Sequence, residues 1–100
     1  MATVSKALFR GAAATSSTTL YTVPASTTTV VSNIVVTNTV TGDATFTILL
    51  DDVSIATTVT VGGFDTTVID LKQALATTKT IKGLASAVTV NFHISGVEIA

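Results

Sequence analysis

His93 is the chain's single histidine, set in the stretch Asn91-Phe92-His93-Ile94-Ser95. A general base works within hydrogen-bond reach of a nucleophile or an orienting acid, and nothing near it in the sequence supplies one. On a strand its side chain points opposite to Phe92 and Ile94, which makes it a surface or interface residue. The carboxylates are Asp43, Asp51, Asp52, Asp65, Asp70 and Glu98. Most flank turns, where short acidic side chains cap backbone amides. Asp51-Asp52 also suits a loop site for calcium, an ion that takes roughly six to eight oxygen ligands, although turn capping is the simpler role. One histidine and no cysteine cannot make a tetrahedral zinc set. Gly62-Gly63 is followed neither by a Lys-Ser/Thr pair nor by a convincing helix, so it reads as a turn and not as a phosphate cradle. No catalytic constellation emerges, and neither an enzyme nor a cofactor is expected.

The rest of the composition narrows the partners. Charged residues are 11% of the chain and hydrophobic residues 47%, with a net charge of -1. Five Lys/Arg at positions 6, 10, 72, 79 and 82 form no basic stripe for phosphates. Four Phe and one Tyr are few for base stacking, so no direct nucleic-acid contact is expected. Tyr21 and Phe64 alone are a thin aromatic platform for sugars. The 22 threonines fall in unaligned clusters such as Thr27-Thr28-Thr29 and Thr57-Thr58, without the fixed spacing of an ice-binding array. Apolar runs as short as Ile48 to Leu50 fall far below the roughly 20 residues of a membrane helix. The opening MATVSKALFRGAAATSS lacks the apolar segment of a secretory signal. A surface this neutral invites association.

The elements that must position these residues are strands. Val, Ile and Thr supply 43 of the 100 residues, and their branched Cβ atoms suit a pleated surface. Thr3 to Arg10 reads as a first strand or an extended arm, and Gly11 to Thr19 as a flexible loop. Strand signals resume at Leu20 and stop at Pro24. Val30 to Asn38 places Val30, Ile34 and Val36 on one face and Val31, Asn33, Val35 and Thr37 on the other. After the turn at Thr41-Gly42-Asp43, Phe46, Ile48 and Leu50 share a face. Asp51-Asp52 closes that strand, Ile55 to Val61 follows, and Gly62-Gly63 turns the chain by supplying positive φ. Thr66 to Leu71 is a strand, Asp70 to Leu75 suits one helical turn, and Lys79 to Ala85 is a further strand. Ala87 to Glu98 completes the set with Val88, Val90, Phe92 and Ile94 inward. About eight strands predict an all-β fold, an antiparallel two-sheet β-sandwich of jelly-roll type. It forms one domain, with residues 1–17 as strand or arm plus loop and 18–100 as the sandwich.

Three stretches resemble a known group. Leu20 to Ala25 (Leu-Tyr-Thr-Val-Pro-Ala), the β-branched Val30 to Asn38 ending in Asn, and Gly96-Val97-Glu98-Ile99 are similar to motifs of small structural proteins of tailed bacteriophages. Val68 to Leu71, Lys79 to Ile81 and Ala85-Ser86 also fit, so the resemblance spans about residues 18 to 99. It implies a virion protein on the capsid exterior, assembled in the host cytoplasm. Such a decoration or cement protein binds the major capsid protein, commonly as a homotrimer, bridges capsomers and has no catalytic residues. The alternative is a tail, baseplate or fibre module that binds another virion protein or a host-surface glycan. For the contact itself, Lys6, Leu8, Phe9 and Arg10 form an apolar-basic cluster, within a segment Ala2 to Thr19 that reaches the capsid or a neighbouring subunit if it is an arm.

Overall fold

Alternation of apolar and polar side chains decides where the core sits. In the computed structural model, which describes residues 3–100, it yields eight strands and, among the described residues, no helix. They are β1 (Thr3–Ala12), β2 (Thr18–Thr22), β3 (Thr28–Asn38), β4 (Ala44–Leu50), β5 (Val53–Val61), β6 (Thr66–Leu75), β7 (Thr80–Ala85) and β8 (Val90–Ile99). Antiparallel ladders join β1 to β8, β2 to β7, β3 to β6 and β4 to β5. This is the pattern of one long hairpin with its tip between β4 and β5, rolled upon itself. Pairing of β3 with β8 and of β4 with β7 then completes two sheets, β1-β8-β3-β6 and β2-β7-β4-β5. The chain is an antiparallel β-sandwich with jelly-roll connectivity.

Phe46, Ile48 and Leu50 of β4 face Val90, Phe92 and Ile94 of β8 across the core, all buried. The rings of Phe46 and Phe92 meet edge to face, with centroids 6.2 Å apart and planes at 70°, an arrangement favoured by the aromatic quadrupole. The body measures 46 × 21 × 18 Å. Its ends are therefore well separated.

The first sheet bends along one line. β1 carries an extra residue, Leu8, opposite the Ile94–Ser95 step of β8, and β3 carries one, Ser32, opposite the adjoining Ser95–Gly96 step. A bulge of this kind reverses which face later residues take. Ile34, Val36 and Asn38 are buried on one side of it, whereas Val31 and Thr29 are buried on the other. The expected grouping of Val30 with Ile34 and Val36 is thereby corrected: Val30 is half-buried and Val31 takes the core. At the same line a Cβ on Gly96 would fall onto the carbonyl oxygen of Val30 and lie 2.9 Å from Leu8 Cδ1.

Four further expectations change. Asp70 to Leu75 continues β6 instead of turning helically, because pairing of Gln73 with Val31 and Leu75 with Thr29 satisfies its backbone. Val88 lies in the β7–β8 turn and is exposed, not inward. Neither Gly62 nor Gly63 adopts positive φ; Phe64 does, at 54°. Gly63 is needed for space, since a Cβ there would overlap the Thr41 carbonyl. Finally, β1 runs to Ala12 and β2 starts at Thr18, which shortens the loop expected over Gly11 to Thr19. Of the two forms expected for residues 1–17, Thr3–Ala12 is an edge strand paired with β8 from Thr3–Ile99 to Ala12–Asn91. Of the arm expected over Ala2 to Thr19, only Ala2 lies outside the described residues.

Gly96→Ala should lower stability by about 1–3 kcal/mol, the usual cost of forcing a methyl group into a packed site. Urea unfolding measures this, and an unchanged midpoint would contradict the close approach at the bulge.

Candidate functional site

The sequence-predicted contact residues all lie on β1, and the structure uses them differently. Leu8 is buried in the core and Phe9 is half-buried against it. The Lys6 ammonium lies 3.5 Å from Glu98 Oε1. Arg10 is exposed and sits beside His93 in the β1–β8 register, so both cross-strand neighbours of His93, Arg10 and Val35, lack a carboxylate or hydroxyl. A contact surface on this segment would thus present Lys6 and Arg10 but little of Leu8 and Phe9.

Asp51 and Asp52 form the two-residue β4–β5 turn, with φ of 54° and 60°. Both positive values match the type I′ hairpin, whose backbone twist suits flanking strands, and Asp tolerates that conformation better than most residues. Their carboxylates meet ammonium groups: Lys79 Nζ lies 3.5 Å from Asp51 and Lys82 Nζ 2.6 Å from Asp52. Among the described residues no cluster of three or more acidic, His or Cys side chains forms a metal-binding group. Turn capping is performed elsewhere. Asp65 Oδ1 accepts from the Thr66 amide at 2.8 Å, and Asp43 Oδ1 accepts from the Gly63 amide at 3.3 Å.

A polar cluster that the sequence reading did not anticipate joins the two sheets. The Tyr21 hydroxyl, from β2, donates to Glu98 Oε2 of β8 and contacts Thr29 Oγ1 of β3 at 2.8 Å. Lys6 of β1 completes the group through Glu98. Burial, followed by the adjacent Glu98 carboxylate, pushes the Tyr21 hydroxyl up from 10.0 to about 12. It therefore stays protonated and donates, which makes it a clasp between sheets and a poor nucleophile. The available signal was that Tyr21 and Glu98 are the chain's only Tyr and only Glu. Each lies in a different stretch of the resemblance, 77 residues apart.

At the opposite end three loops are tied together. Asn38, fully buried, donates from Nδ2 to the carbonyls of Gly42 at 2.7 Å and Val61 at 3.3 Å, and its Oδ1 accepts from the Val40 amide at 3.3 Å. The Phe64 amide donates to the Val40 carbonyl at 2.9 Å, while the Thr39 amide and hydroxyl both donate to the Thr89 carbonyl. These loops project Val40, Phe64 and Val88, which are 41%, 69% and 63% exposed. Phe64 holds left-handed backbone, a conformation costing a non-glycine residue roughly 1–2 kcal/mol, yet its ring returns little of that to the core. Strain at an exposed aromatic residue on a braced loop marks a candidate contact site.

Elsewhere an open hollow of about 520 Å³ beside Ser32 is lined by Ser32, Asp70, Leu71 and Lys72. Neither His93 nor Tyr21 reaches it. Comparison of the chain with models of protein families, with curated proteins and with solved structures returns no match.

Tyr21→Phe should cost about 1 kcal/mol at neutral pH, the net worth of a hydrogen bond. Because the folded-state pKa is raised, the stability difference from wild type is full below pH 10 and shrinks as pH rises through about 12. Urea unfolding of both proteins across that range measures it, and a gap independent of pH would argue against the clasp.

Proposed function

We propose that the chain is a virion structural protein of a tailed bacteriophage, a decoration or cement protein that binds the major capsid protein on the shell exterior and bridges capsomers. The observation that carries this reading is the braced loop end with Val40, Phe64 and Val88 exposed. Three apolar side chains on loops tied to one another by hydrogen bonds suit a fixed protein contact, since burying them removes apolar surface from water with little ordering cost. The motif resemblance points the same way. Jelly rolls serve capsids, lectins and enzymes alike, so the fold by itself favours none of these. The glycan-binding alternative is weakened at one of its two aromatic residues, because the half-buried Tyr21 is engaged by Glu98 and Thr29.

Bound in many copies, such a protein stabilises a shell by mass action, as any ligand of the assembled state does. Each loop end inserts at a junction between capsomers and resists their separation.

Two measurements test the proposal. Cryo-electron microscopy of virions carrying this chain should show it in a regular array over the icosahedral shell; density confined to the tail would favour the tail module instead. Phe64→Asn should raise stability by about 0.5–1 kcal/mol, because Asn is far more at ease in left-handed backbone, while binding to undecorated shells falls at least about tenfold. Unchanged shell binding would remove Phe64 from the contact.

A further inference from the structure

β6 is an open edge. Eight of its ten residues, all but Leu71 and Lys72, pair with β3, and among the described residues no strand pairs with its other side, leaving a row of backbone donors and acceptors free there. Unpaired edges recruit further strands unless they are blunted by charge, brevity or bulges. The other three edges are blunted: β1 carries Lys6 and Arg10, β2 is five residues long, and β5 is interrupted by two register shifts. β6 also carries a register shift, at Leu71-Lys72 opposite Ser32, but its exposure alternates regularly from Thr66 to Lys72, it is long, and it bears one charge of each sign. The flank it belongs to is also the apolar one. Of the seven large hydrophobic residues exposed among the described residues, Val53, Ile55, Phe64 and Val68 lie on β5, on β6 or between them.

Asp70 and Lys72 are exposed on either side of the half-buried Leu71, so both lie on the outer face of β6. The chain's other carboxylate–ammonium pairs are Lys6–Glu98, Lys79–Asp51 and Lys82–Asp52, and among the described residues neither Asp70 nor Lys72 has an ion-pair partner.

We infer that β6 pairs antiparallel with β6 of a second copy of this chain, about a two-fold axis at Leu71. In that register Asp70 stands opposite Lys72 of the second copy, Lys72 opposite its Asp70, and Val68 opposite its Ala74. Both sheets keep their outer faces on the same side, which requires the axis to pass through a residue. Moving the axis by one residue sets Asp70 against Asp70 or Lys72 against Lys72. Directly opposed charges of opposite sign stabilise a cross-strand pair and like charges destabilise it, so the sequence Asp70-Leu71-Lys72 selects one register and one partner, itself. The joined sheets form one eight-stranded sheet, and the second copy lies over the hollow lined by Ser32, Asp70, Leu71 and Lys72. A self-complementary contact of this kind closes as a dimer, in place of the three-fold closure that the bacteriophage resemblance implies. It does not rest on the capsid reading.

Light scattering on the purified full chain, coupled to size exclusion, tests the pairing. The expected mass is twice the 10.1 kDa chain. Asp70→Lys places lysine opposite lysine twice and should raise the dissociation constant about tenfold or more; the exchange Asp70→Lys/Lys72→Asp should restore the dimer. Circular dichroism confirms that each variant is folded, and both positions are exposed, so folding should survive. A monomer persisting to about 1 mM, a three-chain mass, or a dimer indifferent to Asp70→Lys would each overturn the inference. A wild-type monomer that still decorates shells would sink the dimer and leave the capsid proposal standing, whereas a dimer absent from shells would do the reverse.

Discussion

The sandwich depends on one mismatch in strand length. β8 runs through Ile94-Ser95-Gly96 without interruption, while β1 spends one residue more against the first of these steps and β3 one more against the second. That excess lets Leu8 enter the core from β1 and turns Val31 and Thr29 inward from β3. It works only because Gly96 has no side chain where the Val30 carbonyl and Leu8 converge. Beyond the bend, Thr29 and Glu98 come within reach of Tyr21 from the facing sheet. The clasp between sheets is thus a product of the bulge.

The polar groups of this protein act mainly on its own framework. Tyr21 and Glu98 hold the sheets at one end, Asn38 and Thr39 tie the loops together at the other, and Lys79 and Lys82 neutralise the Asp51-Asp52 turn. A buried amide such as Asn38 specifies a loop geometry strongly because each missing hydrogen bond would leave a desolvated group. What remains available for partners is apolar or sparsely charged. This division of labour is consistent with attachment, in which surfaces must be rigid more than reactive.

Much of this was legible where local pattern and tertiary outcome agree. Phe46, Ile48 and Leu50 alternate in the sequence and are buried together, as are Val90, Phe92 and Ile94. The eight strands and the two-sheet class follow from such segments. The parity change at Ser32 was not legible, because a bulge is set by the neighbouring strand and leaves no local signature. Asp70 to Leu75 carries helix-forming residues, but pairing with β3 overrides that preference. Gly63 was recognised as a turn glycine for the wrong physical reason, since the carbonyl it must accommodate belongs to Thr41, distant in sequence. Tyr21 and Glu98 escaped notice for the same cause: their relation exists only after the long hairpin has rolled up.

The rolled connectivity also governs when the protein can form. β8 lies between β1 and β3, and Thr3 finds its partner in Ile99. Contacts this distant carry a high loop-closure cost and slow the search for the native topology. The first sheet therefore cannot assemble before β8 has been made, since without it β1 and β3 lack the strand that joins them. Only the second sheet, β2-β7-β4-β5, can pair without β8, so the two sheets differ in how early they can form.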